Sequence, residues 1–276
     1  MRRGLGTEGS RDHRTGGLVR TAVITIVSGR HDHLERQQGA LDPDVDYIVV
    51  AMNDPALLEW RPTGPSATVI PIDGGDRLPL AAARNLGAAR AIERGAELLV
   101  FLDVDCIPGA ELVASYAAAA TDDRLLTGAV GYLPEGSLDP ADAHFHGFRP
   151  RPDRGEIVTG ESRLFWSLSF ASTLAVWTRI GGFDETYLGY GGEDTDFALR
   201  AGEAGLDLVW VGGAEAVHQY HPTQSPPVQH LHDILVNGAH FAKRWGFWPM
   251  QGWLVAFEER GLVERDQVTG EYTATS

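Results

Sequence analysis

Short runs of β-branched and apolar residues alternate with helical stretches through the first half of the chain. That alternation restricts the fold to a mostly parallel sheet with helices on both faces. Thr21 to Ser28 reads as the first strand and Asp32 to Leu41 as the helix after it, with Val45 to Ala51 and Thr68 to Ile72 as the second and third strands. Leu80 to Arg94 is a helix whose alanine-rich face can approach a sheet closely, and Glu97 to Leu102 is the fourth strand. A helix over Ala110 to Ala120 comes next. Ligands of such sheets sit outside the carboxyl ends of the strands, where Ser28, Asn53, Asp73 and the Asp103/Asp105 pair all fall.

The second half is less regular. Leu133 to Gly160 is rich in Pro, Asp, Gly and Arg without periodicity, the composition of a long surface excursion of the kind that binds ligands. After it, Phe170 to Trp177 reads as a strand, Glu193 to Ala204 as a helix and Asp207 to Val211 as a strand. Val228 to Trp245 and Met250 to Arg260 read as two closing helices. The 276 residues, 43% of them hydrophobic, suffice for one α/β core with an appendage. The expected division is a flexible tail over 1–18, a catalytic domain over 19–222 and a C-terminal helical extension over 223–276.

With 23 basic against 38 acidic residues the formal charge is -15, which disfavours nucleic acid and anionic lipid as partners. A phosphorylated small molecule remains compatible, because a divalent cation and a few arginines can reverse the field at one site. The lone cysteine, Cys106, excludes an intramolecular disulfide and multi-cysteine zinc sites, and the expected compartment is the cytoplasm. No apolar run approaches the roughly 20 residues of a membrane span.

Three constellations carry chemistry. Leu99 to Leu102 is an apolar strand that delivers Asp103 and Asp105 to its carboxyl end, which suits a hard divalent cation whose remaining ligands are phosphates and water. Asp105 is the expected metal ligand, with Asp103 nearer a ribose or a metal-bound water. Gly189-Tyr190-Gly191-Gly192 then brings Glu193 and Asp194 to the first turn of a helix, where the helix dipole favours ionised carboxylates and hence a general base. Simple acidic capping is the alternative. Finally, in His218-Gln219-Tyr220-His221-Pro222 one imidazole can complete the site begun by Asp105, with Mn2+ or Mg2+ as the ion. Of the aromatic residues, Trp177 reads as core and Trp166 as a sugar-facing ring.

Together these stretches, with Ala22 to Arg30, Arg84-Asn85-Leu86-Gly87 and Gly191-Gly192-Glu193-Asp194, resemble the GT-A glycosyltransferases of family 2 and the related β-1,4-galactosyltransferases and polypeptide N-acetylgalactosaminyltransferases. The resemblance runs from about Thr21 to Pro222 in the family order. It implies a GT-A fold, a nucleoside-diphosphate sugar donor with UDP favoured, and a glycan or small-molecule acceptor. It also implies a metal held by Asp105 and His218, the latter preferred to His221 because it lies 25 residues after Glu193 (218 minus 193). Ser28 and Arg30 would border the nucleotide, Asn53 or Asp54 the base, and Arg84 with Asn85 the base and diphosphate. Trp166, Tyr190 and Gly192 would face the acceptor, Tyr190 standing where the relatives usually carry Trp. Asp194 would be the base of an inverting displacement, since relatives that retain configuration have an amide there, and Glu193 would orient the acceptor.

Two rivals stay open. A nucleotidyltransferase should carry a Gly-rich, basic phosphate loop after the first strand, whereas Ser28-Gly29-Arg30-His31-Asp32 is short and lacks lysine. An inactive sugar-nucleotide or glycan-binding protein on the same fold would be told apart by its lack of metal-dependent donor turnover.

Overall fold

The computed structural model describes residues 19–64 and 66–275, so the expected tail over 1–18 lies outside the described residues. The first strands and helices fall where the alternation places them: β1 (Thr21–Val27), α1 (His31–Gly39), β2 (Asp46–Met52), β3 (Ala67–Ile72), α2 (Leu80–Glu93) and β4 (Leu98–Leu102). Then come β5 (Cys106–Pro108), α3 (Leu112–Ala119), β6 (Arg124–Thr127), β7 (Val130–Tyr132), β8 (Ile157–Thr159), β9 (Ser169–Thr173) and α4 (Leu174–Ile180). The chain continues through α5 (Glu193–Glu203), β10 (Asp207–Val211), β11 (Ala216–His218), α6 (Leu231–Trp245), α7 (Gln251–Glu259), β12 (Val263–Arg265) and β13 (Tyr272–Ala274).

Among the described residues, eight strands form the main sheet in the order β3-β2-β1-β4-β9-β6-β10-β8. All run one way except β9 and β8, which pair antiparallel with their neighbours. The period of two along each strand sends residues to opposite core layers. In β1, Ala22, Ile24 and Ile26 join one layer with α2, α4 and α5, while Val23 and Val27 join the other with α1 and α3. The α2 face is built of Ala81, Ala83, Ala88 and Ala91, and a Cβ at Gly87 would stand 2.4 Å from Ile24 Cγ2. Close approach of helix and sheet therefore requires the glycine of Arg84-Asn85-Leu86-Gly87.

The reading of Phe170 to Trp177 as one strand needs correction. The strand ends at Thr173, whose Oγ1 accepts from Val176 N (3.2 Å) and caps α4. An N-cap threonine starts a helix in an apolar run that periodicity alone cannot divide. Trp177 is buried as expected, 5.1 Å from the Phe101 ring, but it stands on that helix. The excursion over 133–160 is also less bare than its composition suggests, because β8 closes the edge of the sheet beside β10.

A second sheet, β5-β11-β7, lies outside the main one. Beyond it, the helices α6 and α7 share a small core with the hairpin β12–β13, through Ile234, Leu254, Phe257, Val263 and Tyr272, so the extension is not purely helical. Val228–His230 is a separate 3-10 turn before α6. Among the described residues no helix is long and apolar enough to cross a membrane.

Candidate active site

A tight turn follows β4: Asp103 N donates to Leu168 O (2.9 Å) and Cys106 N to Asp103 O (2.8 Å). The next strand, β5, pairs antiparallel with β11, setting His218 opposite Cys106. This register brings a residue more than a hundred positions away beside the aspartate turn. His218 Nε2 lies 3.9 Å and His221 Nε2 3.6 Å from Asp105 Oδ2, and ligand atoms of the three residues lie within 4.8 Å of one another. His33 Nδ1 is 2.6 Å from the other carboxylate oxygen, and the Arg30 guanidinium pairs with Asp105 Oδ2.

Burial pushes the His218 pKa down to about 4 and that of His221 below its ordinary value. Both imidazoles are then neutral near pH 7 and can offer a lone pair to a metal. One carboxylate with two neutral imidazoles is a donor set that suits a divalent transition-metal cation better than Mg2+, which prefers oxygen. The structure places His221 beside Asp105 along with the preferred His218.

The turn is held from beneath by Gln37, a fully buried polar residue. Its Nε2 donates to Asp103 O (2.7 Å) and Cys106 O (2.8 Å), while its Oε1 accepts from Thr25 Oγ1 (2.7 Å) and Tyr47 OH (2.6 Å). Gln37→Leu would strand two hydroxyls and two carbonyls. We expect a loss of about 3 kcal/mol or more in stability, from the 1–3 kcal/mol of each unmet buried group. Chemical denaturation checks it, and a loss under about 1 kcal/mol would contradict this role.

On the other side of the cleft, Gly191 (φ 99°) and Gly192 (φ 94°) occupy left-handed backbone, and a Cβ at Gly191 would lie 2.7 Å from Met250 Sδ. They turn the chain into α5, which starts at Glu193. Arg84, 3% exposed, joins the two sides: Nη1 donates to Glu193 Oε1 (3.2 Å) and Nη2 to Asp103 Oδ1 (3.0 Å). Asp194 Oδ1 accepts from Thr195 N (2.6 Å). At this pair burial opposes the helix dipole. Burial and the neighbouring Asp194 raise Glu193 to about 7 against the pull of Arg84, and burial raises Asp194 as well.

Other expected site residues have visible partners. Ser28 is half-buried just past the end of β1. Asp54 Oδ2 accepts from Gly29 N (2.8 Å) and lies 2.8 Å from His31 Nε2, fixing the loop after β1. Asn53 fixes the loop after β3, accepting from Gly74 N (2.8 Å) and donating to Gly75 O (2.9 Å). Asn85 is engaged on both amide atoms: it accepts from Phe183 N (2.8 Å) and donates to Phe183 O (2.9 Å) and Glu185 Oε1 (2.8 Å). It thereby fixes the turn at Phe183. Tyr190 stacks on His230 (4.6 Å), and its backbone N donates to Asp233 Oδ2 (3.3 Å), so the extension contacts the acidic turn.

His33 and Gln37 are not among the residues that the sequence motifs single out. For Gln37 a signal exists: it shares the buried face of α1 with Leu34, three positions earlier, where a core helix would carry an apolar residue. His33 has only its closeness to His31 in sequence.

Residues 159–223 match the family model described as the N-terminal domain of galactosyltransferase, a stretch that includes Glu193, Asp194, His218 and His221. The validoxylamine A glucosyltransferase of Streptomyces hygroscopicus subsp. jinggangensis (strain 5008) is 28% identical over 172 residues, 51% of this chain and 40% of that protein. Its counterpart in subsp. limoneus is 28% identical over 51% of this chain and 37% of its own length. The chain thus spans about two fifths of the curated relatives it matches. Among solved structures, GalNAc-T7 with UDP, GalNAc and Mn2+ superposes with a TM-score of 0.56 at 16% identity, over 84% of this chain and 49% of that one. TarS 1-349 of S. aureus superposes with a TM-score of 0.53 at 11% identity, over 81% of this chain and 65% of that one. With a mostly parallel sheet, flanking helices and these neighbours, the chain has the GT-A glycosyltransferase fold.

Proposed function

We propose that the protein is a metal-dependent, inverting glycosyltransferase that moves a sugar from a nucleoside diphosphate, UDP favoured, to a hydroxyl of a glycan or small-molecule acceptor. One observation carries this reading: Arg84 ties the aspartate turn of the Asp105–His218–His221 corner to the acidic start of α5. A transferase needs that juxtaposition, with the leaving diphosphate on one side and the attacking hydroxyl on the other. The matched glucosyltransferases and the UDP and Mn2+ of the GalNAc-T7 structure support it. A reducing interior such as the cytoplasm suits the buried thiol of Cys106.

Asp105, His218 and His221 would hold the ion, which when bound would supply charge neutralisation for the leaving diphosphate. Ser28, Arg30, Asn53 and Asp54 border the nucleotide, while Asp103, fixed by Arg84, faces the ribose. Asp194 takes the proton from the acceptor hydroxyl. Glu193, anchored by Arg84, orients that hydroxyl, with Trp166, Tyr190 and Gly192 on the acceptor side.

Calorimetric titration of UDP with Mn2+ tests the corner. We expect His218→Ala to weaken binding tenfold or more and chelator to abolish the metal-dependent part. Equal affinity in wild type and variant, with or without metal, would remove the assignment.

A further inference from the structure

Arg149, in the excursion between β7 and β8, is 8% exposed, yet among the described residues none of its three guanidinium nitrogens has a hydrogen-bond partner. Its Cζ lies 4.2 Å from the Trp166 ring and 4.7 Å from the Trp210 ring. Cation–π contacts hold the group in place but leave its five in-plane N–H donors unanswered. A buried charge without hydrogen bonds is expensive, and proteins carry one where a ligand supplies the missing acceptors.

The surroundings connect this guanidinium to the cleft. Trp166 stands 5.8 Å from His146 and 6.1 Å from Phe148. His146 in turn lies 5.0 Å from Tyr132, which stacks on His218 at the same distance. The charge of Asp194 reaches Arg149 as well, although burial prevails and lowers the Arg149 pKa to about 10. The guanidinium is thus seated on Trp166, within range of the charge of Asp194, whereas Arg30 and Arg84 already attend the aspartate turn.

We propose that Arg149 recognises an anionic group, a carboxylate or a phosphate ester, carried by the acceptor, its planar fork bonding two oxygens of that group while Trp166 and Trp210 fix its orientation. The proposal rests on the transferase reading and narrows the acceptor class to acidic sugars or their phosphates.

Saturation-transfer NMR titrations of glucose, glucuronate and glucose 6-phosphate, with UDP and Mn2+ present, test it on wild type, Arg149→Met and Arg149→Lys. We expect at least one acidic sugar to bind wild type tenfold or more tightly than glucose, showing which anion is used. The preference should fall to within twofold in Arg149→Met and persist in part in Arg149→Lys. Affinity for UDP with Mn2+ should stay within twofold, and the melting temperature of Arg149→Met should equal or exceed that of wild type, because an unpaired buried charge has been removed. Equal binding of neutral and acidic sugars would overturn the proposal. So would a lower melting temperature with unchanged selectivity, a tenfold loss of UDP affinity, or a discrimination between UDP-glucuronate and UDP-glucose that depends on Arg149. Failure of every variant and wild type to bind UDP with Mn2+ would instead count against the transferase reading itself.

Discussion

Asp194→Asn should lower sugar transfer by a factor of about 10² to 10⁴, the usual worth of a positioned general base, while leaving affinity for UDP and Mn2+ within a few-fold of wild type. The amide keeps the shape of the side chain and can still accept from Thr195 N, so the start of α5 is preserved. What disappears is the proton acceptor. The pH profile gives a second view of the same group. Burial raises Asp194, and burial with its acidic neighbour raises Glu193 to about 7, so the pair holds a proton at mildly acidic pH and loses it on going above neutrality. Wild-type turnover should therefore climb with pH through about 7 and level off above it, an apparent pKa that belongs to the pair. For stability the sign is opposite: carboxyls with raised pKa values stabilise the fold below their unfolded-state pKa, and that contribution fades as pH rises through about 7. Near-wild-type turnover in the variant would take the role of base away from Asp194.

Asp196→Ala should have the largest effect on stability, although the residue shares the acidic motif with Asp194. Its side chain is 0% exposed and lies within the packed interface between α5 and α6. Oδ2 accepts from Arg200 Nε (2.7 Å), Oδ1 accepts from Trp245 Nε1 (2.9 Å), and Arg244 Nε stands 3.7 Å away. Removing the carboxylate leaves the half-buried Arg200 and an indole N–H without their acceptor. Breaking a buried pair from one side costs about 3–5 kcal/mol. For a chain of this size that corresponds to a fall of about 10 °C in melting temperature. Calorimetry decides it, and a fall of less than about 2 °C would show that the extension docks without this carboxylate.

The two aspartates explain why part of the site was legible in the sequence and part was not. Asp103, Asp105, Glu193 and Asp194 announce themselves because each follows an apolar strand or a glycine turn, and local chemistry leaves few uses for carboxylates there. The strands β1 to β4 were equally plain, because a short continuous run of β-branched and apolar residues needs only neighbouring residues to be read. The three-residue strands β5, β7 and β11 carry no such run; only their long-range pairing makes them strands, and that pairing brings His218 and His221 to Asp105. Asn85 and Gln37 mark the same limit from the other side. Asn85 fixes the Phe183 backbone, a contact that Arg84-Asn85-Leu86-Gly87 does not announce, and Gln37, a polar residue on α1, supports the aspartate turn. Side-chain hydrogen bonds across dozens of residues decide both, and the one local hint, the spacing of Gln37 from Leu34, does not say what the amide holds.

Release of free nucleoside diphosphate from a panel of nucleotide sugars, with Mn2+ and again with chelator, tests the central claim most directly when wild type is set beside Asp105→Ala. The account predicts slow, metal-dependent release from one donor by wild type, lost with chelator and lost in the variant. Release that persists unchanged in Asp105→Ala, or no release and no binding of any donor by wild type, would contradict it and favour a sugar-binding protein on the same fold.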